Sequence, residues 1–223
     1  ITAYYNAAKY FKSTFNSVIG QTFPWFEWII VDDGSTNEKD VALLEYFAQK
    51  DSRIHVYHKR NGGIATARNL AISKATTDII IIIDADDLME PTYVEYLYIS
   101  LLCNPQASWS YTGLVAFDGA QYLWNIPFTS EKEKKENILI VSSAIRKKPI
   151  LGIGGYSEVL KYYNEDWYLW LRLLANGNFP VQIDQYSFWY RVNTTGVASI
   201  VTQNLKIQEL NKQLIEKAAQ NVP

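Results

Sequence analysis

Hydrophobic side chains in the first hundred residues follow two alternating spacings. In some segments they recur every three or four positions, which is typical of helices, and in others they form short unbroken runs, which is typical of buried strands. Helices are predicted at residues 7–19, 41–50, 64–75 and 93–102. Strands are predicted at residues 26–33, 54–57, 79–83 and 108–117, and residues 1–3 have the pattern of a strand whose earlier part is missing. This alternation predicts an α/β fold, in which a mostly parallel sheet is flanked by helices.

The second half of the chain is less regular. Residues 118–137 carry the sequence EKEKKE and are predicted to form an insertion-like loop whose charges are solvated. A tight turn is predicted at residues 152–156, a helix at 165–176, a strand at 181–192 and an amphipathic helix at 203–220. No internal repeat or linker is visible in the sequence. We therefore expect one domain at residues 1–200 and a C-terminal helical extension at residues 201–223, which we expect to dock on the domain.

Acidic residues follow two of the predicted strands. Five consecutive isoleucines run directly into Asp84, Asp86 and Asp87, and the strand before them ends in Asp32 and Asp33. Ligands of open α/β sheets bind outside the carboxyl ends of the strands. The sequence therefore predicts that both acidic clusters lie at one rim of the sheet, where a ligand binds.

The chemistry of the Asp84-Ala85-Asp86-Asp87 sequence has two interpretations. Carboxylates two residues apart on a loop can hold one hard cation, and Mg²⁺ or Mn²⁺ prefers one or two carboxylates together with phosphate oxygens. Alternatively, Asp86 or Asp87 caps the helix that follows. A cap accounts for one aspartate and not for three, so metal binding stays a hypothesis for this loop.

The earlier cluster suits a nucleotide base. A carboxylate accepts hydrogen bonds, so the Asp32-Asp33-Gly34-Ser35 segment suits a base that presents an N–H group, such as uracil, thymine or guanine. Tyr5, at the end of the first strand, can stack on such a base. The alternatives are a turn with a helix cap at Asp33 and an ordinary core tyrosine at Tyr5.

A third acidic cluster, Glu165-Asp166-Trp167, opens a predicted helix that also contains Arg172. The helix dipole favours ionised carboxylates at this end. Asp166 shares a helical face with apolar residues, which places it at the end of a core-facing stripe and next to a cleft. Glu165 shares the face of Arg172, which predicts a structural salt bridge. The alternative is a pair of surface acids near an arginine.

Composition excludes several classes of function. The 223-residue chain is 48% hydrophobic with a net charge of −2 and scattered Lys and Arg, which argues against nucleic-acid binding. Its one cysteine, Cys103, excludes an intrachain disulfide and a cysteine metal cluster. No apolar run approaches the about 20 residues of a membrane span, and no signal peptide is visible, so a cytoplasmic protein is expected. Since the two histidines are His55 and His58, a general base or metal ligand from the second half must be a carboxylate, or water must serve.

Taken in order, these motifs resemble the pattern of family 2 glycosyltransferases with the GT-A fold, over about residues 1–190. The matching segments are Tyr5-Asn6, residues 17–22 and 26–36, Gly63 with Ala67-Arg68-Asn69, residues 84–87, Gly154-Gly155-Tyr156, and Glu165-Asp166-Trp167 with Leu171-Arg172. The resemblance implies an inverting, bacterial-type enzyme. The motif and membrane spans of polymer-forming members are missing, so long-chain synthesis is not expected.

The resemblance also implies roles for individual residues. It assigns residues 1–117 to a nucleotide-sugar-binding half and residues 118–200 to an acceptor and catalytic-base half. Tyr5 and Asp33 match positions that hold the base, Asp84 the position nearest the ribose, and Arg68 a position near the diphosphate. Asp86 matches the ligand of Mn²⁺ or Mg²⁺, with Asp87 a second contact. Asp166 matches the catalytic base, and Glu165, Trp167 and Arg172 fall on its acceptor side or support the structure.

A nucleotide-sugar, UDP-hexose in the first instance, is thus the expected donor, and a saccharide or lipid-linked saccharide the expected acceptor. The aromatic residues around the third acidic cluster can stack on sugar faces, although most of them are expected in the core. These residues are Tyr162, Tyr163, Trp167, Trp170, Trp189 and Tyr190. Action at the inner face of the membrane, peripheral membrane contact and homo-oligomerisation are all compatible with this interpretation.

Two alternatives belong to other classes. Asp84-Ala85-Asp86 forms an Asp-x-Asp (DxD) motif, which haloacid-dehalogenase-type phosphatases also carry after a hydrophobic strand. Those enzymes have Thr or Val two places after the second aspartate, where this chain has Leu88. A catalytically inactive sugar-nucleotide-binding partner is the second alternative. Because all of the expected acids are present, an active enzyme is preferred.

Overall fold

The computed structural model describes residues 1–160, 164–193 and 205–223. Its first half contains three parallel strands, β1 (Thr2–Tyr4), β2 (Trp28–Asp32) and β3 (Ile54–His58), in the order β1-β2-β3. The helices α1 (Ala8–Ile19) and α2 (Glu38–Ala48) connect them, and α3 (Ile64–Lys74) follows. These elements confirm the predicted α/β alternation. The parallel register brings the ends of β1 and β2 together, because Tyr4 lies opposite Asp32.

The isoleucine-rich segment forms β4 (Ile79–Ile81) beside β1. The backbone nitrogen of Ile1 donates to the Ile81 carbonyl at 2.6 Å, and the Ile83 nitrogen donates to the Ile1 carbonyl at 3.1 Å. Ile82 and Ile83 are buried, as is expected for a strand covered on both faces. These hydrogen bonds join the first sheet to the second. Asp84 follows directly after this segment of the chain.

The second sheet is mixed. Its strands are β5 (Leu88–Met89), β6 (Trp109–Asp118), β7 (Tyr122–Trp124), β8 (Ala144–Arg146) and β9 (Pro180–Val192), in the order β4-β8-β6-β9-β5 with β7 beside β6. Strands β6 and β9 are parallel, whereas β8 is antiparallel to both β4 and β6. The uniformly parallel pairing predicted from the first half therefore ends at β4, and the second sheet contains both parallel and antiparallel pairs. A short connection, such as that between β6 and β7, permits only antiparallel pairing.

The EKEKKE segment departs from the predicted solvated loop. It contains α5 (Ser130–Glu133), which follows α4 (Tyr93–Cys103) and is capped by the side chain of Thr129. Glu133 is fully buried, and its Oε2 accepts a hydrogen bond from the Ile138 nitrogen at 3.0 Å. The prediction of solvated charges is thus wrong for Glu133, because the capped turn directs this side chain inward.

Three further helices complete the described chain: α6 (Lys147–Gly152), α7 (Glu165–Ala175) and α8 (Leu205–Ala219). Helix α8 packs against α7 and buries Ile215 and Ala218, which agrees with the predicted docking of the C-terminal helix on the domain. The predicted start of this helix at residue 203 lies outside the described residues. Across the ranges that the structure describes, no helix combines the length and apolar character needed to cross a membrane.

Candidate active site

The loop after β4 presents the three aspartates in different environments. The Asp86 carboxylate is partly exposed and has no hydrogen bond to any other residue in the described part of the chain. Asp87 is buried; its Oδ1 accepts the Arg191 nitrogen at 2.7 Å, and its Oδ2 has no partner in the described part of the chain. Helix α4 begins at Tyr93 after Thr92, six residues beyond Asp86. The alternative that Asp86 or Asp87 caps this helix is therefore wrong.

The electrostatics of this loop suit a cation. Burial and then the charge of Asp84 raise the pKa of Asp86 to about 6. Burial, then Asp86 and Asp84, raise the pKa of Asp87 well above its usual range. The donor set consists of hard oxygens, which fit Mg²⁺ or Mn²⁺. Within residues 1–160, 164–193 and 205–223 no three His, Cys, Asp or Glu side chains form a complete metal site, so a cation here would need oxygens from a ligand as well.

Arg191 holds this loop from the side of β9. Its Nε donates to the Asp86 carbonyl at 2.7 Å, its backbone nitrogen bonds Asp87, and its guanidinium forms an ion pair with Asp118. The guanidinium also lies over the rings of Tyr10 and Phe117, at 4.3 and 4.5 Å. The sequence interpretation missed Arg191, although one arginine in the aromatic strand SFWYRV was a visible signal.

Arg68 joins the two halves of the chain. Its side chain is 1% exposed, and it donates to Asp84 Oδ1 at 2.6 Å and to Glu165 Oε1 at 2.7 Å. The predicted salt bridge between Glu165 and Arg172 is therefore wrong. Seven residues separate Glu165 from Arg172, which is two helical turns or about 10 Å. Arg172 instead donates to the carbonyls of Gly155 and Ile153.

The neighbouring residue, Asn69, makes a second connection between the halves. Its Oδ1 accepts the Tyr156 nitrogen at 2.8 Å, and its Nδ2 donates to the Tyr156 carbonyl at 2.9 Å. Gly155 has a φ of 73°, and a Cβ there would lie 2.5 Å from Asn69 Oδ1. Glycine is thus required for this approach. The Arg68-Asn69 and Gly154-Gly155-Tyr156 motifs, which are far apart in the sequence, are in contact.

Asp33 lies at the end of β2, where protein donors surround it. Its Oδ1 accepts Lys59 Nζ at 2.6 Å and the Gly62 nitrogen at 3.0 Å, and its Oδ2 accepts the Gly63 nitrogen at 2.8 Å. The carboxylate is buried and holds the loop that begins α3. Gly34, with a φ of 74°, packs against this loop, since a Cβ there would lie 2.7 Å from the Asn61 nitrogen. The predicted contact of Asp33 with a base stays a prediction.

Tyr5 extends from the same rim and is 46% exposed. The next residue, Asn6, has a φ of 47°, and its side chain bonds Thr36 through both Oδ1 and Nδ2. These bonds fix the backbone beside Tyr5 while its ring faces outward. Tyr5 is thus not a core tyrosine, and it is available to a flat ligand such as a base.

Asp166 lies in the first turn of α7. Its Oδ1 accepts the Trp167 nitrogen at 2.8 Å and its Oδ2 accepts Asn137 Nδ2 at 3.1 Å. Burial raises the pKa of Asp166, against the lowering effect of these two hydrogen bonds. Trp167 Nε1 donates to the Glu133 carbonyl at 2.8 Å. Two hydrogen-bond donors therefore orient the Asp166 carboxylate. The preceding residue, Glu165, is the ion-pair partner of Arg68.

The aromatic residues predicted to surround α7 lie in different environments. Trp170 is fully buried and stacks on Trp109 at a centroid distance of 5.2 Å, so it is a core residue. Trp189 Nε1 donates to Glu90 Oε1 at 2.6 Å, and Tyr190 is partly buried. Tyr162 and Tyr163 lie outside the described residues.

Residues 1–142 match the model of the family described as "Glycosyl transferase family 2". The chain belongs to this family. The family match covers more than half of the chain, and it includes β1 to β7, α1 to α5 and the three aspartates after β4. Family 2 membership argues against the phosphatase interpretation of the DxD motif.

Several curated relatives are glycosyltransferases. Streptococcus pneumoniae GlyG is 38% identical over 95 residues, which are 42% of this chain and 31% of GlyG. A putative teichuronic acid biosynthesis glycosyltransferase of Bacillus subtilis, TuaG, is 37% identical over 123 residues, 53% of this chain and 48% of TuaG. The family 2 chain thus spans about a third of GlyG and half of TuaG.

Solved structures with the same fold include Staphylococcus aureus TarS. TarS 1–349 in complex with UDP has a TM-score of 0.70 at 20% identity, covering 97% of this chain and 68% of that one. The complex of TarS with UDP-GlcNAc has a TM-score of 0.72 at 19% identity, covering 89% and 59%. The α/β fold of this family 2 member is thus the GT-A fold.

Proposed function

We propose that this protein transfers a sugar from a nucleoside-diphosphate sugar, first of all a UDP-hexose, to a hydroxyl of a saccharide or lipid-linked saccharide, with inversion at the anomeric carbon. The observation that carries the proposal is the Asp84–Arg68–Glu165 connection. It brings the DxD loop, which faces the expected donor, next to the start of α7, where Asp166 lies.

Asp166 is the general base in this proposal. As the acceptor oxygen forms a bond to the anomeric carbon, its proton passes to the Asp166 carboxylate. The bond between the anomeric carbon and the diphosphate breaks at the same time, and the diphosphate leaves with the electron pair. A single displacement of this kind inverts the configuration. The raised pKa of Asp166 increases its affinity for the proton that it accepts.

The proposed contacts with the nucleotide-sugar are assigned from the exposed groups and unpaired acceptor atoms at this rim of the sheet. Tyr5 stacks on the base. Asp33 already accepts three hydrogen bonds from the protein, so in this proposal it contacts the base through the remaining acceptor capacity of Oδ2. Asp84 uses one oxygen for Arg68, which leaves the other for a ribose hydroxyl. Arg68 positions Asp84 and is too buried to bind diphosphate directly, so the role predicted from the resemblance shifts from contact to positioning.

Asp86 is the residue that would hold Mn²⁺ or Mg²⁺, and Asp87 supports the loop through Arg191. When bound, the cation supplies positive charge that neutralises the leaving nucleoside diphosphate. The proposal also includes action at the inner face of the membrane and self-association. The Lys and Arg residues are scattered along the chain and do not by themselves mark a surface for either.

A thermal-shift panel of UDP-, dTDP- and GDP-sugars, with and without Mn²⁺ or Mg²⁺, tests the proposal. We expect one nucleotide class to raise the unfolding temperature in a metal-dependent way, since a ligand at about 100 times its Kd stabilises by about 2.7 kcal/mol. Asp86→Ala should abolish this shift. Asp166→Asn should keep the shift and lose turnover.

Measuring nucleoside diphosphate release with the nucleotide-sugar that binds addresses the remaining alternative, an inactive sugar-nucleotide-binding partner. That protein would bind the nucleotide but release no nucleoside diphosphate with any acceptor. The oriented Asp166 carboxylate favours the enzyme. If calorimetry with either cation shows no binding of UDP, GDP or dTDP, both versions of the proposal fail.

A further inference from the structure

The segment of residues 129–138, which contains α5, lies against the first turn of α7. Trp167 Nε1 donates to the Glu133 carbonyl at 2.8 Å, and Asn137 Nδ2 donates to Asp166 Oδ2 at 3.1 Å. At its far end, the Ile138 carbonyl accepts Trp124 Nε1 at 3.1 Å. The segment is therefore attached both to the helix that carries Asp166 and to the edge strand β7.

Glu133 closes this segment from the inside. The cap of α5 at Thr129 directs the Glu133 side chain into the protein, where it is fully buried. Its Oε2 accepts the Ile138 nitrogen at 3.0 Å, so the carboxyl group spans the turn that contains Asn137. The Glu133 side chain thus fixes the backbone that directly follows Asn137.

Two buried oxygen atoms in the segment, Glu133 Oε1 and Asn137 Oδ1, have no partner among the described residues. Burial, and to a smaller degree Asp166, raise the pKa of Glu133 to about 9. Glu133 is thus a neutral acid at neutral pH, with a hydrogen to donate, and Asn137 Oδ1 is an acceptor that lacks a donor. A neutral Glu133 also adds no negative charge of its own beside Asp166.

We propose that Asn137 is a positioning residue for Asp166: its amide holds one carboxylate oxygen and thereby orients the carboxylate toward the acceptor hydroxyl, while Glu133 holds the segment that presents Asn137. The proposal rests on the proposed function of Asp166 as the base. Asn137 keeps its hydrogens throughout, and the proton of the acceptor passes to Asp166 alone.

Kinetics of two Asn137 variants separate positioning from general structural support. Asn137→Ala removes the donor, and we expect kcat to fall about 100-fold with an unchanged KM for the donor. Asn137→Asp keeps the shape but places a carboxylate against Asp166, so its kcat should fall further. A structural role alone predicts the opposite order, because the isosteric aspartate preserves packing. An Asn137→Asp variant more active than Asn137→Ala would overturn the proposal.

Asn125 supplies a matched control. Its Nδ2 donates to Asp184 Oδ1 at 2.8 Å, which is the same type of amide–carboxylate pair on an exposed edge. We expect Asn125→Ala to retain the kcat of the unmodified protein. An equal loss in Asn125→Ala and Asn137→Ala would show that the effect is not specific to Asp166, and the proposal would fail.

An NMR titration tests the contact without requiring turnover. The NMR signal of the Asp166 side-chain carboxyl carbon is identified by its absence from the spectrum of Asp166→Asn. Its chemical shift is then followed against pH in the unmodified full chain and in both Asn137 variants. We expect the pKa of Asp166 to rise by about one unit in Asn137→Ala, because a donor to the ionised form is lost. Thermal unfolding checks that each variant is folded. Asn137→Asp should also raise the pKa of Asp166, so it provides the same test if Asn137→Ala does not fold.

The titratable groups that influence Asp166, namely Arg68, Asp84, Glu133 and Glu165, are identical in all three proteins. An unchanged pKa in both variants would overturn the proposed positioning. A raised pKa in a protein that transfers no sugar to any acceptor would instead refute the proposed function and leave the contact established. The two failures are therefore distinguishable.

Discussion

Arg68 is enclosed between two carboxylates that belong to opposite halves of the chain. The sequence interpretation selected Arg68 and both of its partners as functional residues, but it placed Arg68 beside a diphosphate and paired Glu165 with Arg172. The partner across the cleft lies 97 residues away in sequence, and helical spacing contains no information about such distant contacts. Residue types and motif positions were thus predictable here, whereas the pairing required the fold.

Arg68→Met should destabilise the protein by about 3–5 kcal/mol, because the change leaves two carboxylates facing each other without a buried cation. Urea unfolding of the two proteins measures this loss. Arg53→Met is the matched control: Arg53 and Asp51 form a 2.7 Å pair, but their side chains are 25% and 18% exposed. Its loss should be about 0–1 kcal/mol. Similar losses in both variants would contradict the bridging role of Arg68.

The environment of Asp166 predicts the pH dependence of the reaction. A general base must be ionised, so kcat should fall as the pH drops through the pKa of Asp166. Burial raises this pKa, and the acid limb of the kcat profile should therefore lie above the value of a free aspartate, about 3.9. Steady-state rates across pH at saturating donor measure the limb. A limb at or below the value of free aspartate would contradict a buried base.

At the scale of elements, the length of a helix or strand and the environment of its charged side chains determine whether the sequence predicts it. The long helices α1, α3 and α4 and the strands β2, β3 and β9 lie within a few residues of their predicted bounds. The strands β5 and β8, of two and three residues, were not predicted, because so short a segment carries no periodicity. Helix α5 was missed for another reason. Its charges resemble those of a solvated loop, and only the Thr129 cap, a single residue, directs Glu133 inward.

Glu133 should make the stability of the protein depend on pH. Its pKa is raised from an ordinary value near 4.5 to about 9 by burial, so between these values the unfolded state loses a proton that the folded state keeps. Stability from this group therefore falls as the pH rises through that window. Glu133→Gln removes the effect. In urea titrations we expect Glu133→Gln to gain stability relative to the unmodified protein between about pH 5 and about pH 8.

Glu131 serves as the control for this measurement. It lies in the same helix, is fully exposed, and pairs with Lys134 at 2.9 Å. Glu131→Gln should not gain stability relative to the unmodified protein over the same range of pH. A constant difference between Glu133→Gln and the unmodified protein at all pH values would show that Glu133 ionises normally.

At the scale of the whole molecule, the C-terminal helix is part of the support for the site. Helix α8 covers α7, whose first turn carries Asp166. The sequence predicted an amphipathic helix and its docking on the domain, since apolar residues recur on one face. It could not indicate that α7 is the element beneath, because nothing in the periodicity of one helix identifies the surface that buries it.

Two residues of α8 test this packing. Ile215 is 4% exposed, and Ile215→Ala should cost about 2–5 kcal/mol, since it leaves a cavity against the domain. Leu210 lies on the same helix but is 45% exposed, so Leu210→Ala should change stability by about 0.5 kcal/mol or less. Chemical unfolding measures both. Equal effects would show that α8 does not pack on the domain in solution.

The bond from Arg68 to Glu165 also limits how parts of such proteins can be exchanged. Fusion of residues 1–117 of one glycosyltransferase to the later residues of another is a natural route to new pairs of donor and acceptor. Here the junction separates the guanidinium from one of its two carboxylates. A chimaera that supplies the arginine without the acid buries a poorly compensated charge, and one that supplies the acid without the arginine buries the opposite charge. Compatibility at these two positions should therefore decide which hybrids fold, before their substrates are considered.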